Sequence, residues 1–166
     1  MNIAAQAKKL GLKGPARIKY EQRMRQEMAM RSPVGKINQK LLIEQCREQT
    51  ASCMTRISIR AYMTQDGEHD VDLLAVLAVL IGIGAEIGHK VTGDSVPTRR
   101  MHAALRTIVQ MSVDGGAWVA TQTKVLHDAA QLASSAFDTH PDLGLTYFEG
   151  AQELGDKIRN GTAKMS

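Results

Sequence analysis

Apolar and polar positions alternate along this chain mostly at helical spacing. Asn2 to Leu10 has helix-forming composition, and Gly11, Gly14 and Pro15 break it. Pro15 suits the first turn of a second helix reaching about Arg31. On it Tyr20, Met24 and Met28 recur every four residues as one narrow apolar stripe, with the rest of the surface strongly polar. Ser32-Pro33 ends this helix, because a residue before proline is pushed out of the α region.

A long helix is expected from Val34 to about Met54. Leu42, Cys46, Cys53 and Ile57 follow one face, with Ile37 and Leu41 beside it. From Arg56 to Met63 apolar and polar residues alternate as in a strand. The run nevertheless continues a helix without a Gly or Pro break, and a lone hairpin is marginal without partner strands, so helix is the expected state.

Asp66-Gly67 marks a turn. The thirteen residues Leu73 to Ala85 carry no charge and are apolar all round, predicting a central buried helix or an oligomer contact. A membrane span needs about 20 apolar residues. Asp72 and Glu86 bound a shorter run, so no membrane span is expected. Gly82, Gly84 and Gly88 weaken its end, and Val91 to Val96 reads as a loop.

Pro97 opens the next helix, to about Val113, with Met101, Leu105, Ile108 and Met111 inward. After Gly115-Gly116 a helix over about 117–137 places Val125, Ala129, Leu132 and Ala136 inward. Thr139 with Asp142 three residues on resembles a capping box. The last helix carries Leu143, Tyr147, Ala151, Leu154 and Ile158 on one stripe, closed by Asn160-Gly161. The expected fold is all-α: a bundle of five or six helices over 34–166, with a basic N-terminal helical arm at 1–33.

Composition narrows this further. The chain has 166 residues, 43% hydrophobic but only 4% aromatic, so its core must come from aliphatic side chains, alanine and methionine. The net charge of +4 hides a strong asymmetry. Residues 1–40 hold ten Lys and Arg against two Glu, or +8, and the remainder carries −4. A basic segment of this kind is the footprint of nucleic acid or of an acidic protein surface as partner. Its contact residues are Lys8, Lys9, Lys13, Arg17, Lys19, Arg23, Arg25, Arg31 and Lys36. Arg99, Arg100 and Arg106 add a second patch, with Arg99 and Arg106 seven apart on one helical face.

Signals for chemistry are sparse. Gly82 to Gly88 reads G-x-G-x-x-x-G, one residue longer than the dinucleotide fingerprint and followed by helical sequence. Close helix–helix approach is the better reading. Asp66, Glu68, His69, Asp70 and Asp72 are hard-metal ligand types, but they lack the twelve-residue calcium-loop spacing. Acids there are explained by capping and the helix dipole, with Asp70 as N-cap. His69, His89, His102, His127 and His140 are dispersed, and neither zinc spacing nor a nucleophile elbow is present. No metal, cofactor or catalytic residue is expected. Cys46 and Cys53, two turns apart on one face, lie beyond disulfide reach and read as small apolar residues of a reduced, cytoplasmic protein. The expected function is a non-catalytic accessory protein that holds nucleic acid through the arm. The alternative is an inhibitor, adaptor or assembly factor acting on a partner protein, with homo-oligomerisation through the apolar helix at 73–88.

Overall fold

The computed structural model describes residues 2–62, 70–115, 118 and 120–164. Among these residues the chain is helical, with no strand. Seven helices are described: α1 (Ile3–Lys9), α2 (Gly14–Arg31), α3 (Pro33–Tyr62), α4 (Val71–Thr92), α5 (Val96–Val113), α6 (Ala120–Thr139) and α7 (Pro141–Arg159). They divide into two compact units, 1–44 and 45–166.

In the first unit α1 packs on α2. Ala7 is buried, and the Tyr20 hydroxyl donates to Gln6 Oε1 at 3.4 Å. Asn2 caps α1 by accepting from the Ala5 N–H. The break at Ser32-Pro33 is made as expected. Ser32 is extended, its hydroxyl donates to Ala29 O at 2.6 Å, and its Oγ accepts from the Gly35 N–H at 3.0 Å. One side chain thus closes α2 and opens α3.

In the second unit α4 is the axis, with α5, α6 and α7 packed around it. Leu73, Leu74, Leu77, Ile81 and Ile87 are buried, and up to Ile87 only Asp72 and Glu86 are exposed. By length and composition α4 would suffice to cross a membrane, since it is longer than its uncharged run. Two thirds of that apolar window is buried inside the unit. Asp70 caps α4 as expected, its Oδ1 accepting from the Leu73 N–H at 3.1 Å. The residues from Arg56 to Tyr62 remain helical and end α3, while Met63 lies outside the described residues.

Three expectations are corrected. The loop expected over Val91 to Val96 is shorter: α4 runs through Gly82, Gly84 and Gly88 to Thr92, Gly93 at φ +66° stops it, and Val96 already opens α5. Neighbours fill the space that the missing side chains inside α4 leave: a Cβ on Gly84 would lie 2.5 Å from Ala133, and one on Gly88 would lie 2.6 Å from Thr98 Oγ1. The inward face of α6 is turned by one residue. Leu126, Ala130, Ala133 and Phe137 are buried together with Ala129, whereas Val125 is 46% exposed. Leu126 and Phe137 bury more apolar surface than Val125 and Ala136, so the larger pair sets the rotation. Finally, no Thr139–Asp142 capping box forms. Thr139 belongs to the last turn of α6, where its hydroxyl donates to Ser135 O, and α7 starts from His140 with Pro141 in its first turn.

The end of α7 is closed as expected. Gly161 at φ +68° lets the Gly161 and Thr162 N–H groups reach back to Ile158 O and Lys157 O, and Ala163 is buried beyond it. Trp118 lies in the main core, 1% exposed, with the Arg60 guanidinium 5.4 Å from its ring centroid.

Candidate nucleic-acid interface

All twelve basic residues singled out by charge are exposed. Nine lie in the first unit. Lys8 and Lys9 form the last turn of α1, Lys13 is the N-cap residue of α2, and Lys36 sits in the first turns of α3. Arg17, Lys19, Arg23, Arg25 and Arg31 lie on α2.

The 3.6-residue repeat sorts the α2 charges into two rows. One reads Arg17, Glu21, Arg25; the other reads Lys19, Arg23, Glu27, Arg31. The rows run along roughly opposite sides of the helix. Each glutamate is held by the arginine four residues before it: Arg17 Nε to Glu21 at 2.7 Å and Arg23 Nε to Glu27 at 3.1 Å. Lys19, Arg25 and Arg31 have no carboxylate partner among the described residues. The apolar stripe runs between the rows, with Tyr20 and Met24 half-buried and Met28 exposed.

Arg99, Arg100 and Arg106 stand on α5 in the second unit. Arg99 and Arg106 share a face as expected, while Arg100 points about 100° away. Arg99 pairs with Asp94 at 3.6 Å.

No protein family, curated protein or solved structure matches this chain.

The second unit also assembles a charged cluster that no local motif announces. Asp72 accepts from Arg159 Nε at 3.2 Å and Nη2 at 3.1 Å, and from Arg56 Nη1 at 3.3 Å. Asp70 takes Arg60 Nη2 at 3.2 Å and Arg56 Nη2 at 3.5 Å. These pairs link α3, the start of α4 and the end of α7. Arg56 and Arg60 four apart are a visible hint, but Arg159 lies 87 residues from Asp72. The other acids of this stretch, Asp66 and Glu68, lie with His69 outside the described residues. Burial works to raise the Asp72 carboxyl, yet hydrogen bonds and charge from Arg159 and Arg56 outweigh it and hold the group below its usual range. The bridge therefore stabilises the fold above that range and loses its effect as pH falls through the lowered value.

The cysteines differ more than their spacing implies. Cys53 is 1% exposed, whereas Cys46 is only half-buried. Burial raises both thiols, Cys53 from 9.0 to about 11 against a small opposing effect of Arg56. A disulfide reagent should modify Cys46 in the native protein and Cys53 only as the unit unfolds. Equal rates for the two would show that α3 does not bury Cys53. Because the folded thiol is harder to ionise, its contribution to stability is complete below pH 9.0 and declines as pH rises towards about 11.

Ser58 Oγ lies 3.2 Å from His127 Nε2, and His127 Nδ1 lies 3.7 Å from Asp128. The second distance exceeds hydrogen-bond length. The first contact ties α3 to α6.

Proposed function

We propose that this chain is a non-catalytic accessory protein of the reduced cytoplasm that associates with nucleic acid through a basic N-terminal arm. The observation that carries this reading is the set of exposed cations without carboxylate partners in the first unit, above all Lys19, Arg25 and Arg31. A duplex presents one phosphate charge per ~1.7 Å, so a surface of this sign gains affinity by releasing counterions. The two rows on α2 face opposite ways. A helix roughly 10–12 Å across in a major groove about 12 Å wide would turn one row towards each phosphate wall. With 4% aromatic residues and Trp118 buried, the chain favours backbone contacts over base stacking. Arg99 and Arg106 supply a secondary patch.

Binding to a random-sequence duplex tests the proposal. The affinity should fall with a log–log salt slope of about −4 or steeper, corresponding to five or more phosphates. A shallow slope, or no binding at low salt, would sink it.

One observation favours a second reading, an interaction module for a partner protein. Val34, Ile37 and Leu41 are 67%, 61% and 53% exposed at helical spacing on α3. Single exposed apolar residues are ordinary, but three in a row mark a contact surface. Affinity purification with and without nuclease separates the readings. A protein retained after nuclease supports the module, and loss of all partners supports the nucleic-acid reading.

A further inference from the structure

We infer that the turn between α1 and α2 attaches this chain to the surface of an anionic bilayer, with Leu10 and Ile18 entering the headgroup boundary and Lys8, Lys9 and Lys13 meeting lipid phosphates. This goes beyond the proposed nucleic-acid contact, which rests above all on Lys19, Arg25 and Arg31 further along α2. Residues 1–20 hold five Lys and Arg and no acid. Arg17 is held by Glu21 at 2.7 Å, but Lys8, Lys9 and Lys13 are exposed and in no ion pair among the described residues. Two large aliphatic side chains stand in solvent among these cations: Leu10 is 63% exposed and Ile18 58%. Pro15 and Ala16 are exposed beside them.

The packing of α1 on α2 brings these groups to one end of the first unit. The Tyr20 hydroxyl meets Gln6 at 3.4 Å. Counted from that contact, Leu10 lies about 6 Å along α1 and Ile18 about 3 Å back along α2, both towards the turn. Ile18 is about 200° round α2 from Tyr20, so it points away from α1. The aliphatic groups therefore stand on different sides of a convex end. One rigid partner face would cover one side and leave the other wet, whereas a fluid interface receives both. Duplex phosphates offer these two groups nothing. At a bilayer the lysine stems lie along the apolar boundary and their ammonium groups reach the phosphates. Each such lysine multiplies affinity for an anionic surface about fivefold. The mode is attachment to a surface, not a span.

Co-sedimentation of the full chain with vesicles tests this. Vesicles with about 30% phosphatidylglycerol in phosphatidylcholine should bind the protein at roughly 0.1 M salt, and phosphatidylcholine alone should bind at least about tenfold more weakly. Leu10→Ser with Ile18→Ser leaves every charge in place. This double variant should lose about tenfold or more of the vesicle affinity while duplex binding stays unchanged, which separates the bilayer contact from the nucleic-acid reading. Leu10→Trp supplies a second readout, since Trp118 is only 1% exposed and does not sense the vesicle. Its emission should shift to the blue on the anionic vesicles. Absence of binding to them, equal binding to both vesicle types, undiminished binding of the double serine variant, or an unshifted Leu10→Trp emission would each overturn the inference. So would self-association of the natural chain that the double serine variant loses, because the two side chains would then belong to a contact with a second copy.

Discussion

Gly84→Leu is expected to abolish the cooperative thermal transition of the second unit. A Cβ at position 84 would stand 2.5 Å from both Cα and Cβ of Ala133 and 3.0 Å from Met101 Sδ. Ala133 is fully buried in α6, so one obstacle is backbone and cannot rotate aside. Nor can α4 withdraw, because α5 and α7 hold it on its other sides. Overpacking by methylene groups costs about 1–3 kcal/mol when side chains can adjust. Here the first added carbon already meets main chain and a leucine adds three more, against a total stability of roughly 5–15 kcal/mol. Gly84→Ala isolates the first step. Its helix-propensity gain is about 1 kcal/mol. A net loss of roughly 2–3 kcal/mol is nevertheless expected, a fall of several degrees in melting temperature. Gly150→Ala is the counterpart. It lies inside α7 with nothing within 4 Å of its Cβ position, so alanine there should stabilise by roughly 0.5–1 kcal/mol. Melting shifts of the same sign at the two positions would show that α4 and α6 do not meet at Gly84.

The second large effect concerns nucleic acid and rests on the proposed function. At 0.1 M salt each phosphate contact multiplies affinity about eightfold. Reversing three cations at once, Lys19→Glu, Arg25→Glu and Arg31→Glu, should weaken duplex binding roughly 500-fold or more and flatten the salt slope by about three units. Reversing Arg17 and Arg23 should cost less per residue, because Glu21 and Glu27 already neutralise them. Arg99, Arg100 and Arg106 reversed together measure the share of α5. Since all these side chains are exposed, melting and the circular dichroism spectrum should hardly change. A triple variant of α2 with undiminished affinity would move the interface elsewhere.

Sequence and fold meet unevenly across the molecule. The helical state of almost every segment was legible, because 3.6-residue spacing, prolines at first turns and Ser32-Pro33 act locally. Legible for the same reason were the Asp70 cap and the Gly161 stop, each a matter of residues within one turn. The rotation of α6 was not, since Val125 and Leu126 are both apolar and only the shape of the surrounding core chooses between them. The glycines of α4 were legible as a place of close helix–helix approach, but not which neighbours they meet, since Ala133 and Thr98 lie in helices further along the chain.

By itself, then, the sequence determined the all-α class and the separation of +8 in residues 1–40 from −4 in the rest. Both follow from composition and from spacings shorter than two turns. The Arg17–Glu21 and Arg23–Glu27 pairs, four residues apart on one helix, are local in the same way. Tertiary structure alone decided which thiol is sealed and that Arg159 reaches Asp72 across 87 residues. Such outcomes depend on how the side-chain volumes of separate helices fit together, and no periodicity within one helix encodes that fit.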